Sequence, residues 1–253
     1  MSYTPKTYTK GSKTPHTLSR SKVDLFLECP RCFYLLERLG VKRPSMASFT
    51  LNLAVDELLK REFDAHRKSK TPHPLCVKAG LSELIPYSHD NLEEWRANFT
   101  GIRYNHKDTN ITFFGAVDDL WVDTEGALYV VDYKATAKNE APTLDGRWGE
   151  QYKRQVEFYA WLLRGNGFVV SDRAYFVYVN GKKDEPSFNE KLLFDVELIP
   201  HTGTDTWIEP LLVRIKETLE SDAIPKSGTL CEYCPYREGA GNAFKAHVTK
   251  HKQ

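Results

Sequence analysis

The chain has 253 residues, 41% hydrophobic and 27% charged, which suffices for a sizeable core in one elaborated domain or two small ones. A net charge of +1 gives no global electrostatic signal for nucleic acid, so such a partner must be argued from local clusters. No run approaches the ~18 apolar residues of a membrane span, and Ser2-Tyr3-Thr4-Pro5-Lys6 leads into no apolar signal core, so the expectation is a cytoplasmic protein without a membrane partner.

In chain order, residues 1–16 carry Lys6, Lys10 and Lys13 with no acid before Asp24, and read as a disordered basic tail. Ser19 or Ser21 can cap a helix whose apolar face holds Val23, Leu25 and Phe26 and then Phe33-Tyr34-Leu35. Leu51, Val55, Leu58, Leu59 and Phe63 recur at helical spacing, predicting a helix over roughly 48–66. The stretch 67–109, punctuated by Pro72, Pro74 and Pro86, reads as an insertion with a short helix near 91–99. Residues 111–122 and 128–135 read as two strands joined by the turn chemistry of Asp123-Thr124-Glu125-Gly126. A helix over 146–163, strands over 174–179 and 192–198, and a helix over 205–220 with Pro210 in its first turns complete the pattern. Residues 243–253, with Lys245, Lys250 and Lys252 beside His247 and His251, read as a second basic tail. The region 17–242 is thus expected to be a single α/β domain with a mixed central sheet flanked by helices.

Chemistry concentrates in two places. In Val130-Val131-Asp132-Tyr133-Lys134 the period of a strand puts Asp132 and Lys134 on one face, and a hairpin can bring Asp118 beside Asp132. Neighbouring carboxylates repel unless a cation lies between them, and hard oxygen ligands suit Mg²⁺ or Mn²⁺. Such an ion would polarise a phosphodiester, while Lys134 could neutralise developing charge. A cross-strand ion pair on a solvated face is the bland alternative, against which the apolar Tyr129-Val130-Val131 argues.

The second place is two pairs, Cys29-Pro30-Arg31-Cys32 and Cys231-Glu232-Tyr233-Cys234, near opposite ends of the chain. Four thiolates suit tetrahedral Zn²⁺ or an iron–sulfur cluster, in either case as a structural staple. Cys76, the fifth cysteine, reads as a free core or loop residue.

Gly115-x-x-Asp118, Asp132-Tyr133-Lys134 and Gln155-x-x-x-Tyr159, with Leu18-Ser19-x-Ser21 ahead of the first cysteine pair, resemble the motif series of the PD-(D/E)XK nuclease superfamily, and within it the RecB-like branch and CRISPR-associated adaptation exonucleases. The resemblance implies a restriction-endonuclease-like core with a cysteine-stapled helical portion. It implies a DNA nuclease, an exonuclease on single strands or ends, in which Asp118 and Asp132 bind the metal and Lys134 assists. It adds the Tyr133 carbonyl as a ligand and Gln155 and Tyr159 as supports that hold the site and contact the DNA backbone. Where the family carries a metal-binding His on its second helix this chain has Asp56, which can also bind Mg²⁺ or Mn²⁺. The family's iron–sulfur branch implies a [4Fe–4S] cluster, but Ala240 stands where a third downstream cysteine is expected and Cys32 restores the count, a symmetrical spacing that looks more like Zn²⁺. Arg147, Lys153 and Arg154 are candidates for phosphate contacts, and Tyr133 and Trp148 for base stacking or core packing. Partners implied are DNA and proteins of recombination, repair or CRISPR adaptation. A nuclease-like fold that binds DNA or a partner without cleaving, and a zinc-stapled regulator, are the alternatives.

Overall fold

Pro30 decides where the first helix stops. The computed structural model describes residues 6–45 and 50–250, in which a short strand β1 (His16–Ser19) leads into helices α1 (Arg20–Glu28) and α2 (Pro30–Leu39). The predicted continuous helix is broken at Cys29 (φ −158°, ψ 99°), because the proline ring crowds the α conformation of the residue before it. Helix α3 (Thr50–Ser69) follows, so positions 48 and 49 of the predicted helix lie outside the described residues. The predicted insertion holds α4 (Pro74–Lys78), β2 (Ile85–Pro86), α5 (Leu92–Arg96) and β3 (Ile102–His106).

The strand expected over 111–122 is two strands, β4 (Ile111–Gly115) and β5 (Asp119–Val122). Between them the Val117 N–H donates to the Trp95 carbonyl at 3.1 Å, and this break puts Asp118 at the mouth of β5. Then come β6 (Leu128–Thr136), α6 (Gly146–Gly165), β7 (Arg173–Gly181), β8 (Phe194–Thr202) and α7 (Ile208–Glu220), close to their predicted ranges, and finally α8 (Tyr233–Lys250).

Both predicted tails need correction. Helix α8 runs through residues 243–250, where Ala243 and Ala246 favour the helix. Tyr8 is buried, with its ring edge-on to His16 at 5.2 Å, so the N-terminal segment is anchored from there. His251 and Lys252 lie outside the described residues.

The described residues form two compact units: one from 6–45, 105–112 and 209–250, the other from 50–104 and 113–208. The second is built on a mixed sheet of order β2-β5-β6-β7-β8, antiparallel throughout except for the parallel pair β6 and β7. That parallel pair requires a crossover, which α6 supplies. Strand alternation sends Val131, Tyr133, Tyr175, Val177 and Val179 into a buried cluster with Phe63 of α3 and Trp121, while Val55 and Leu59 of α3 pack against it. Residues 132 and 134 therefore face the other way. The supposed insertion belongs to this architecture, since β2 is an edge strand of the sheet.

In the first unit Phe26 and Phe33 meet edge-to-face at 5.2 Å, joining α1 to α2. Arg38 Nη1 donates to the Leu219 carbonyl at 2.7 Å and Tyr34 Oη to that of Ser221 at 3.2 Å, tying α2 to the end of α7. A separate three-stranded sheet has the order β1-β4-β3.

Candidate active site and metal centre

The hairpin β5–β6 sets the site. Its register pairs Asp119 with Val131, and one position beyond β5 the Asp118 Oδ2 accepts the Tyr133 N–H at 2.8 Å. The N–H and C=O of one extended residue point to the same side, so the Tyr133 carbonyl lies on the Asp118 side of β6. Asp132 is fully buried. Its Oδ1 accepts from Gln155 Nε2 at 2.8 Å, and the same Nε2 lies 3.1 Å from the Tyr159 hydroxyl, which makes a Gln–Tyr brace one helical turn long. Asp132 Oδ2 pairs with the Lys134 ammonium. The Lys134 Nζ also sits 4.6 Å over the Tyr152 ring.

On α3, Asp56 is half-buried and pairs with Lys60 at 2.8 Å. Asp56, Lys60, Asn98, Asp118, Lys134 and Gln155 all line one cavity of about 350 Å³, with Tyr133 and Tyr152 at its wall. Five of the predicted residues are thus brought together there, and Tyr159 supports them from behind.

The electrostatics fit a cation. Burial, then the Asp132 carboxylate, pushes the Asp118 carboxyl up to about 6, against the pull of Lys134 and of the Tyr133 N–H. Burial and Asp118 likewise raise Asp56, with Lys60 opposing. Burial would lower Lys134, yet Asp132 and Asp118 outweigh it and its pKa is raised. A buried carboxylate, the Asp118 acid crowded against it and a carbonyl on the Asp118 side fit the donor set of a hard divalent ion. Asp118, Asp132 and the Tyr133 carbonyl would hold it, with Asp56 across the cavity.

Sequence reading missed the layer beneath. Asp119, fully buried, accepts from Arg67, from Arg96 Nη2 at 2.9 Å, from the Leu120 N–H at 2.8 Å and, at its other oxygen, from the Tyr133 hydroxyl at 2.9 Å. Arg67 and Arg96 also share Asp64. The Tyr133 ring is therefore locked in the core, the packing role that the sequence offered beside base stacking. The Asp118-Asp119 doublet was a visible signal, since alternation sends the second acid to the opposite face. Lys60, four residues after Asp56 on a helix, was another. Arg147 and Trp148 are exposed, Lys153 pairs with Glu150 at 2.8 Å and Arg154 is half-buried, all on α6.

In the first unit the four predicted cysteines are buried together, within 4.8 Å of one another at their Sγ atoms. The bend at Cys29 exposes its sulfur to the start of α2, where the Cys32 N–H donates to it at 3.4 Å; the Gly228 N–H does so at 3.2 Å. Burial raises the Cys29 thiol, yet these donors bring it down to about 7. Arg43 Nη2 donates to Cys231 Sγ at 3.4 Å while its guanidinium lies 4.5 Å over the Tyr233 ring. This donor set fits a metal centre. Cys76 is buried elsewhere, its thiol pushed up to about 12 by burial, as an inert core cysteine.

A mixed sheet carrying two acids and a lysine at adjoining strands, braced by a glutamine and a tyrosine from the crossover helix, defines a class of metal-dependent nuclease folds. Residues 17–238 match the PD-(D/E)XK nuclease superfamily, and the chain belongs to it. A solved structure described as "Crystal structure of SSO0001" is similar at 14% sequence identity over 82% of this chain and 77% of that one, with a TM-score of 0.38. No curated protein matches. No helix among the described residues is long and apolar enough to cross a membrane.

Proposed function

We propose that this protein is a Mg²⁺- or Mn²⁺-dependent deoxyribonuclease of the RecB-like branch, acting as an exonuclease on single-stranded DNA or DNA ends. The observation that carries the reading is the gathering of Asp118, Lys134 and Gln155 on one cavity, with the buried Asp132 held between that lysine and that glutamine. A divalent ion bound there supplies Lewis acidity toward a phosphodiester and acidifies water at neutral pH. Asp118 and Asp132 present oxygens, Gln155 fixes the rotamer of Asp132, and Tyr159 fixes Gln155. Lys134, held over Tyr152, offers its charge to the phosphate as negative charge grows in the transition state. Arg154, with Arg147 and Lys153 on the same helix, is assigned to phosphate contacts beyond the cavity. Four reduced cysteines suit the cytoplasm, and DNA-processing proteins of recombination, repair or CRISPR adaptation are the partners this reading suggests.

Cleavage of single-stranded, blunt and tailed DNA with Mn²⁺, against Asp132→Ala and Lys134→Ala, tests it. Activity is expected to fall by at least ~10²-fold in both variants, the scale of losing a transition-state charge partner. Absence of cleavage of every DNA form, with the cysteine centre intact, would sink the enzyme reading. One observation favours a non-cleaving DNA-binding protein instead. Asp56, in the place of the expected His, is already neutralised by Lys60 at 2.8 Å. In that case wild type binds DNA but does not cut, and Asp56→His restores cleavage.

A further inference from the structure

Sequence left the metal of the four cysteines open between a cluster and a single ion, and the spacing of the sulfurs separates the two. A tetrahedral site with zinc–sulfur bonds of about 2.3 Å places its sulfurs about 3.8 Å apart. Here Cys32 Sγ lies 3.5 Å from Cys234 Sγ and 3.6 Å from Cys231 Sγ, Cys29 Sγ lies 3.7 Å from Cys234 Sγ, and all four fall within 4.8 Å of one another. In a [4Fe–4S] cluster each thiolate binds a different iron, and four irons with four sulfides fill the space between the thiolates. An envelope in which the thiolates nearly touch has no room for those eight atoms. It is also too wide for disulfides, whose sulfurs approach to about 2.05 Å.

We propose that the four cysteines hold one zinc ion in a closed, structural tetrahedral site, and not an iron–sulfur cluster. The surroundings fix that small radius. Gly228 approaches so closely that a Cβ there would fall 1.9 Å from the Glu28 carbonyl oxygen, and this approach delivers its N–H to Cys29 Sγ. The Cys32 N–H reaches the same sulfur from the first turn of α2, and Arg43 offsets the charge of the thiolates at Cys231. Widening the site for a cluster would pull Cys29 from both backbone donors. Ala240 cannot stand in for a ligand, since it is six residues beyond Cys234 on α8, about 9 Å along the helix axis. Among single ions, redox-inert zinc is the usual occupant of a closed structural site of four cysteines.

The inference is independent of the nuclease reading, because its readout is metal and not cleavage. Full-length protein is purified anaerobically and its metal, labile sulfide and visible spectrum are measured. Metal-free protein is then offered Zn²⁺ in competition with Fe²⁺ plus sulfide. Expected are one zinc per chain, no visible absorption, zinc retained from the competition, and release of that zinc as four thiols react with a mercurial. Asp132→Ala, which strips the carboxylate site, and Cys76→Ser are both expected to keep the zinc. Four irons with sulfide, a single coloured iron, a cluster winning the competition, paired disulfides without metal, or loss of the zinc in Asp132→Ala would each overturn the proposal.

Discussion

At Asp132 one buried carboxylate serves two neighbours, and its two oxygens have different fates. Oδ1 is tied to Gln155, while Oδ2 keeps capacity for a cation beside Lys134. Outer partners of metal-binding carboxylates matter nearly as much as the ligands. Gln155→Ala is therefore expected to cost about 10–100-fold in Mn²⁺ affinity or activity, read from cleavage rate against Mn²⁺ concentration. Asp118 adds a pH signature. Its carboxyl sits near 6, against an ordinary 3.8, so between those values the folded protein keeps a proton that the unfolded chain has released. Stability of the Mg²⁺-free protein thus falls as the pH rises through that window, the sign opposite to that of a salt-bridged acid. Added Mn²⁺ should stabilise most above about pH 6, where Asp118 is charged. Melting curves over roughly pH 4.5–7.5 with and without Mn²⁺ check this, and Asp118→Asn should flatten the metal-free profile. Tyr133→Phe leaves Asp119 Oδ2 without its hydroxyl donor in a buried site, with an expected loss of about 1–3 kcal/mol in chemical denaturation.

At the scale of elements, the break between β4 and β5 and the start of α6 control where these side chains stand. Gly149 in the first turns of α6 lies where a Cβ would meet the Leu144 carbonyl oxygen at 1.9 Å. Replacing a helical glycine by alanine ordinarily gains up to ~1 kcal/mol, but here the approach of the loop to the helix forbids it. Gly149→Ala should instead destabilise by about 1–3 kcal/mol, as overpacking does, and weaken cleavage by shifting Tyr152 and Gln155 on the same helix; thermal melts and cleavage rates are the measurements. The elements of the second unit were largely legible in the sequence, because β6, β7 and α6 carry long, regular apolar patterns. The split of 111–122 was not, since the flanking β-branched and aromatic residues mask the weak strand formers Gly115 and Ala116, and the Val117 N–H turns to the Trp95 carbonyl, a partner distant in sequence. Helix α8 was missed because its apolar residues do not segregate to one face, and Gly239 and Gly241 disguise it.

For the whole molecule, the cysteine centre joins segments near opposite ends of the chain: Cys29 and Cys234 are separated by 205 positions. The metal free energy is folding free energy where no preformed site exists in the unfolded chain. Removing the ion with a mercurial and chelator should lower the melting temperature by at least ~5 °C. Amide exchange should rise first across residues 20–39 and 233–240, while β6 and β7 keep their protection. Uniform loss of protection along the chain would contradict this.

The sequence by itself determined the chemistry: the types and order of Asp118, Asp132, Lys134, Gln155 and Tyr159, the four thiols, and the alternation that sends Asp132 and Lys134 to one face. These follow from local geometry, a period of two along a strand and one turn along a helix. Tertiary structure decided what depends on distance. It built the Asp119–Arg67–Arg96 support under Tyr133 and brought the four sulfurs within reach of one another. No local period encodes such contacts, because each joins residues that only the packed chain brings together.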